Sequence, residues 1–348
     1  MNLAKRGFLV PAVFFLIGAL PGTGTAANRF VNPDGLCGGN LPCYTTIQDA
    51  IDASIPGDVI YVQAGVHSPA AKIDVHTPVT ILGAQANINP LPSQATSRIP
   101  GSAGESIIDG GGMSGIIVIT ANDVTLNGLE IRNGSGDLID SESGIPTQGT
   151  IIKHCIIHDS SGDEGIQLRN VDSPRITCNY VYATAGDGIN VCCGSVDAQI
   201  TTNELRNISS PDGGIYLYDQ MNATVMGNLI DGTTQNDGIK VGAKNGSDAA
   251  KTGGTILNNT VLNPAQDGIS VYSSNTVVRC NEISGSTSEN GGVYVAHAVS
   301  NVSILDNHIH DNGPRAQLSG GGELRGAGAG ASHVLGEAQV QARLRRAG

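Results

Sequence analysis

The sequence predicts an all-β solenoid, a stack of similar short coils behind one small helix. A phrase recurs six times, as Glu164-Gly165-Ile166, Asp187-Gly188-Ile189, Gly213-Gly214-Ile215, Asp237-Gly238-Ile239, Asp267-Gly268-Ile269 and Gly291-Gly292-Val293. The Gly before its aliphatic residue returns after 23, 26, 24, 30 and 24 residues, and a period of that size marks stacked repeats. A second phrase keeps step with the first. Asn179, Asn203, Asn228, Asn259, Asn281 and Asn307 each stand two residues before an aliphatic one, and Cys155 and Asn127 extend the series upstream. Composition agrees: no Trp, four Phe and 48 Gly suit many short strands joined by turns. A solenoid needs only a thin interior of Val, Ile and Leu, renewed at each coil.

Residues 1–26 read as a secretory signal. Lys5 and Arg6 precede the apolar run Phe8 to Leu20, and Gly24-Thr25-Ala26 is a small-residue cleavage site. The run is too short for a comfortable membrane span, so the mature chain is expected to be secreted, periplasmic or at the cell surface. Residues 27–58 form a lead-in and a capping helix. In Thr46-Ile47-Gln48-Asp49-Ala50-Ile51, Ile47, Ala50 and Ile51 share a face and Thr46 is placed to cap it. Coils then run over 59–312, on the order of ten at this period. Three stretches break the rhythm, at 84–106, 134–149 and 243–254. Loops leaving one face of a solenoid often build its binding site. Past Asn312 the composition turns to Gly, Ala and Arg. That tail reads as disordered, or as out-of-frame translation that has replaced genuine coils.

The Asn row is predicted to be structural. Asn tolerates left-handed backbone, so it suits the bend between strands, and stacked side chains can hydrogen-bond from coil to coil. Seven Cys is an odd number for an exported chain. Cys37 and Cys43 read as a local disulfide. Cys178 and Cys280 read as small apolar fillers pointing inward. Cys192-Cys193 has no assignable partner, and at least one thiol should remain free. Formal charge is −12, while 313–348 holds five Arg against two Glu, so the coils are more acidic still. That excludes nucleic acid and anionic membrane as partners. A polyanionic sugar would need a bridging cation such as Ca²⁺.

The chain resembles the parallel β-helix proteins of the pectate-lyase-like superfamily. The likeness runs from Tyr44-Thr45-Thr46-Ile47-Gln48-Asp49-Ala50-Ile51 and Gly57-Asp58-Val59-Ile60-Tyr61-Val62 through Ile108-Asp109-Gly110-Gly111-Gly112 and Val124-Thr125-Leu126-Asn127-Gly128-Leu129 to Asn312, about four-fifths of the chain. It implies a right-handed three-sheet parallel β-helix. It also implies a cleft on the outer face of the sheet holding the Gly-Ile strand. The superfamily spans lyases, polygalacturonases, uronate epimerases and non-catalytic surface proteins, so the fold is specified more sharply than the activity.

Strand alternation assigns directions on that sheet. Ile239 and Val241 point in and Lys240 points out, which makes the outward row Gln167, Asn190, Tyr216, Lys240, Ser270 and Tyr294. Arg169, Tyr218, Asp219, Lys244, Tyr272 and His297 follow it, and Glu164, Asp187, Asp212, Asp237 and Asp267 precede it. Aromatic, acidic and basic groups together suit a sugar. Tyr216, Tyr218, Tyr272, Tyr294, Asn190 and Gln167 are the expected substrate contacts. An acidic polysaccharide cleaved by β-elimination needs a base and a cation to neutralise the enolate. Lys240 or Lys244 is the expected base. Arg169, or Ca²⁺ on Asp187, Asp212, Asp237 and Asp267, is the expected cation. An epimerase would use the same groups.

A glycoside hydrolase would instead use paired acids such as Asp187 with Asp237, but the chain has only the Asp-Gly-Ile part of the polygalacturonase pattern and no Gly-His-Gly. A non-catalytic adhesion solenoid is the rival of another class. It is favoured by scattered outward Tyr residues together with a structural ion pair at Lys240, and an enzyme by convergence of Lys240, Arg169 and the acids under 243–254. The sequence gives no sign of a second subunit, and a monomer is expected. His308-Ile309-His310 puts two imidazoles on one strand face, with His158 in the row of His310. Copper delivery would need softer ligands as well, and a surface His pair is the plainer reading.

Overall fold

The computed structural model describes residues 25–312 except 143, 289, 290 and 298, and the backbone of the strands Leu318–Gly320, Glu323–Gly326 and Gln339–Leu344. Nearly all of the predicted signal segment, and the side chains of the tail, lie outside the described residues. The chain winds as a parallel β-solenoid whose coils each contribute to three sheets. One coil shows the plan: Arg175–Thr177 lies in the first sheet, Tyr180–Thr184 in the second and Ile189–Cys192 in the third. Each strand pairs in parallel with its equivalent one coil away. The third sheet has ten strands, from Ile73–Val75 to Leu318–Gly320, matching the expected number of coils. Beyond Asn312 the backbone of Leu318–Gly320 pairs with Val293–Val295, and that of Gln339–Leu344 with Val302–Asn307.

The interior is a continuous column of Ile, Val and Leu running from Val31 to Ile309. At the N-terminal end the helix Ile47–Asp52 turns Ile47, Ala50 and Ile51 into that column, and Thr46 Oγ1 accepts the Asp49 amide at 3.0 Å as its N-cap.

The two sequence phrases are in step because they pack on each other. A Cβ at Gly165, Gly188, Gly214, Gly238 or Gly268 would meet, respectively, Val181, Leu205, Ile230, Val261 or Ile283 at 2.2 to 2.8 Å. It would also meet the carbonyl oxygen of the next phrase Gly at 2.7 to 3.0 Å. Those aliphatic residues are the ones that follow the Asn row by two, so only hydrogen fits between the second and third sheets at these five coils. We expect Gly268→Ala to destabilise the fold by about 1–3 kcal/mol through overpacking. Urea unfolding checks this, and a parent-like midpoint would show that the two sheets part without cost.

The Asn row is structural in the way expected, with a correction to its backbone role. Each Asn from 179 to 281 donates its Nδ2 to the Oδ1 of the next Asn at 2.9–3.0 Å, and that Oδ1 also accepts the backbone amide of the same donor residue. The Asn residues do not make the bend. The left-handed residue is the one before: Cys178, Thr202, Gly227, Asn258, Cys280 and Asp306, at φ 53 to 66°. Short turn-forming residues serve there, and the side chain leaves the interior. Cys178 is accordingly half-buried and Cys280 exposed, rather than inward fillers.

The row also begins later than the sequence suggested. Register sets Asn127 opposite Lys153, so Asn127 lies outside the ladder, and it bonds the loop residue Asn87 instead. Cys155 starts the row, its amide donating to Asn179 Oδ1 at 2.9 Å. Cys37 and Cys43 form the expected disulfide, Cys192 is bonded to Cys193, and Cys155, Cys178 and Cys280 are free.

Candidate functional site

On the third sheet, register places Gln167, Asn190, Tyr216, Lys240, Ser270 and Tyr294 in one line across consecutive coils, as alternation predicted. The line is not a loose solvated face. Lys240 is 3% exposed. Its Nζ donates to Asp212 Oδ1 at 2.7 Å and stands 4.8 Å from the centroid of Tyr216 and 6.0 Å from that of Tyr272. Neighbouring coils thus hold one ammonium between two aromatic rings, an arrangement that favours a cation. Tyr216 stacks on Tyr218 at 4.9 Å, and Tyr272 meets Tyr294 at 5.6 Å. Tyr216 and Tyr272 are therefore walls, with little ring face left for a sugar. Tyr218 and Tyr294 are the half-buried members whose rings reach solvent.

A cleft of about 380 Å³ shares the Tyr272 wall with Lys240, and is lined by Lys244, Asn245 and Gly246 of the 243–254 loop and by Tyr272, Tyr294 and His297. The loop has a fixed base. Buried Asp248 accepts the amides of Asp219 and Ala243 at 2.7 and 3.0 Å, and Lys251 pairs with Asp219 and Asp248. The insert 84–106 faces elsewhere. Its Ser93 and Gly101 amides bond Glu204 and Glu130 of the second sheet, so it forms no part of this cleft.

The acids separate into two groups. Asp187 and Asp237 are nearly fully buried. Asp187 accepts Ser210 Oγ, the Gly213 amide at 3.1 Å and Asn190 Nδ2 at 2.8 Å, yet burial pushes its carboxyl up to about 7. Burial, with Asp267 on the next coil, lifts Asp237 to about 6. Asp267 is also shifted upward by burial. Gly213 interrupts this row opposite Asp237, and Asp212 is committed to Lys240. The four acids expected to share one ion thus stand on four successive coils, each with partners of its own.

The second group was only half legible. Ligand oxygens of Asp137, Asp163 and Glu164 lie within 4.8 Å of one another. Glu164 Oε2 is buried without a hydrogen-bond donor. Burial and the two neighbouring carboxylates push the Glu164 carboxyl far above its ordinary range. Asp137 holds the phrase position two before Ile139, but Leu138 replaces the Gly and hides the repeat. Arg169 belongs to this group, ion-paired with Asp140 and, at 3.3 Å, with Asp137. It lies three coils from Lys240, roughly 14 Å at the usual strand spacing. Lys244 lines the cleft under the loop, Lys240 meets that cleft only through Tyr272, and Arg169 joins neither.

The family model described as right handed beta helix region matches residues 101–252 and 245–331. The chain belongs to the right-handed β-helix family. No curated protein matches this β-helix chain in sequence. Its fold is shared with solved structures of low identity. The mannuronan C-5 epimerase AlgE6 A-module of Azotobacter vinelandii is 18% identical over 78% of this chain and 74% of its own, with TM-score 0.62. An alginate lyase from Paenibacillus sp. str. FPU-7 is 16% identical over 84% and 99%, with TM-score 0.56. A DFA-IIIase from Arthrobacter chlorophenolicus A6, without its lid, is 12% identical over 85% and 91%, with TM-score 0.55. Identities at this level make these β-helix proteins similar in fold alone. Among the described residues no helix is long and apolar enough to cross a membrane.

Proposed function

We propose that this β-helix protein is an exported, monomeric, carbohydrate-active protein that binds an acidic polysaccharide along the outer face of its third sheet and cleaves it by β-elimination. The observation that carries the reading is Lys240. A nearly enclosed amine, set between two tyrosines, one of them the wall of a cleft with a second lysine on its rim, suits recognition of an anionic sugar. In the reaction the C5–H bond of a uronate breaks, a C4=C5 double bond forms, and the C4–O bond to the next sugar breaks. Lys240 would take the C5 proton. Lys244 would neutralise the enolate, and Tyr294 would supply a proton to the departing oxygen. Lys240 acts as the neutral amine, having given its proton to Asp212 as incoming substrate displaces that carboxylate. Asp212 is 41% exposed in its side chain and has room to leave.

Arg169 would hold the carboxylate of a sugar some three units along the strand. Ca²⁺ fits the Asp137, Asp163 and Glu164 oxygens better than the row of buried aspartates, since they converge and one has no donor. Bound there, it would bridge protein and polysaccharide carboxylates.

The Lys240–Asp212 ion pair also supports a second reading, a binding solenoid without catalysis. The test is pectate, alginate and glycosaminoglycans incubated with the purified chain, followed by ultraviolet absorbance of unsaturated uronides and by reducing ends. Elimination predicts absorbance that falls at least ~100-fold in Lys240→Met, a loss typical of removing a general base. Reducing ends without absorbance would replace elimination by hydrolysis at Asp187 and Asp237. Retention of polysaccharide with neither signal would establish the binding solenoid.

A further inference from the structure

The outer face of the second sheet carries the same Glu–His–Asp arrangement twice. In the first copy His158 lies between Glu130, one coil back, and Asp159. Its Nε2 is 3.1 Å from Glu130 Oε1 and its Nδ1 2.9 Å from Asp159 Oδ2, both hydrogen bonds. Register sets Glu130 opposite Ile156, two residues before the histidine. In the second copy His310 lies between Glu282, one coil back, and Asp311, with Nδ1 2.8 Å from Asp311 Oδ2. Register sets Glu282 opposite residue 308, again two before the histidine.

The copies differ in two linked ways. The second has His308 where the first has Ile156, and its ring stands 4.3 Å from that of His310. The Glu–His gap is also wider. His310 Nε2 is 3.6 Å from Glu282 Oε1, and it is buried without a hydrogen-bond partner. Ligand atoms of Glu282, His308 and His310 all lie within 4.8 Å of one another. Two donors sharing one zinc ion at its usual bond lengths stand roughly 3.3 Å apart, so the wider gap approaches the spacing of co-ligands. Asp311 Oδ2 is placed to accept a hydrogen bond from Nδ1–H of His310, the tautomer in which Nε2 is free to bind a metal ion. A carboxylate behind a metal-binding histidine fixes the tautomer in this way.

We propose that Glu282, His308 and His310 form a binding site for a first-row divalent metal ion, with Asp311 orienting His310. Two imidazoles and one carboxylate select zinc, nickel or copper over calcium or magnesium. The ion would tie the strand Glu282–Ser284 to Val302–His310. The site sits on a different sheet from Lys240 and is independent of the polysaccharide reading.

The test is zinc titrated calorimetrically into the untagged, chelator-treated full-length chain, with cobalt absorption reporting nitrogen ligation. One site is expected, with affinity falling at least ~100-fold in His308→Ala and in Glu282→Gln, and ~10-fold in Asp311→Asn, the range for loss of an orienting carboxylate. Lys240→Met and Asp137→Asn should bind zinc as the parent does. Zinc should raise the unfolding temperature of the parent and not of His308→Ala. Absence of zinc binding, or binding that survives His308→Ala, would overturn the proposal and leave His310 as an imidazolium between two carboxylates.

Discussion

Asn228→Ala should destabilise the solenoid by about 3–5 kcal/mol, the cost of several buried polar groups losing partners together. Asn228 Nδ2 donates to Ile200 O at 2.9 Å and to Asn259 Oδ1 at 2.9 Å. Its Oδ1 accepts the Asn203 amide at 2.9 Å and Asn203 Nδ2 at 3.0 Å. Alanine removes all four bonds. It strands a carbonyl and an amide in a region 0–1% exposed, where water cannot replace the lost groups. Asn228→Asp should be as harmful, because it keeps the acceptor and loses both donated bonds. Equilibrium urea unfolding is the measurement. Asn245→Ala, on the exposed loop, is the control and should fall within about 0.5 kcal/mol of the parent. A parent-like midpoint for Asn228→Ala would mean that the coils are held by the aliphatic column alone.

Stability should fall as pH rises from about 4 to 7, by several kcal/mol. Asp187 and Asp237 have folded-state values raised to about 7 and about 6, above the ordinary carboxylate range. Across that window the folded chain holds protons that the unfolded chain has lost. Their contribution is therefore complete at low pH and disappears as each group is forced to ionise in place. Asp58, Asp109 and Glu130 work in the opposite sense. Hydrogen bonds and ion pairs more than offset burial and hold them below their ordinary values, so their contribution is lost in acid. Together these groups set an optimum near pH 4 to 5. Asn190 Oδ1 is buried and unpartnered, and with the amide turned over it would accept the proton that Asp187 retains. Urea midpoints between pH 4 and 8 test the slope. Asp187→Asn should flatten it, and a parent protein most stable at pH 7 would show that these acids are ionised at no cost.

What the sequence could disclose depended on whether a position's chemistry repeats. The Gly-Ile phrase repeats because the space between two sheets admits no Cβ from the coil of Gly165 to that of Gly268, whereas the coil before them carries Leu138 at that position. The outward row on the third sheet followed from it by counting, and the structure places every member as counted. Asn127 misled for the converse reason. An Asn two residues before an aliphatic one is a weak pattern alone, and only pairing of Glu130 with Ile156 reveals that Leu129 occupies the row position. The bend residues were illegible because left-handed backbone is met there by Cys, Thr, Gly, Asn and Asp alike. Convergence in space was harder still. Nothing in the spacing of Arg169 says that it turns to Asp137 and Asp140, and nothing at Lys240 says that Asp212 reaches it from the previous coil.

The Asn ladder also sets a rule for how such a chain can change length. Every member offers the coil before it an oxygen and the coil after it a nitrogen, so any two members are interchangeable as neighbours. Excision of one whole turn between Asn203 and Asn228 would bring Asn203 onto Asn259 with the same atoms in contact. Excision of half a turn would leave an oxygen facing aliphatic carbon. Growth and loss are therefore quantised in turns, as in a polymer with a single joint chemistry, and Cys155 is the terminus of that polymer because it has no side-chain carboxamide to offer the coil before it.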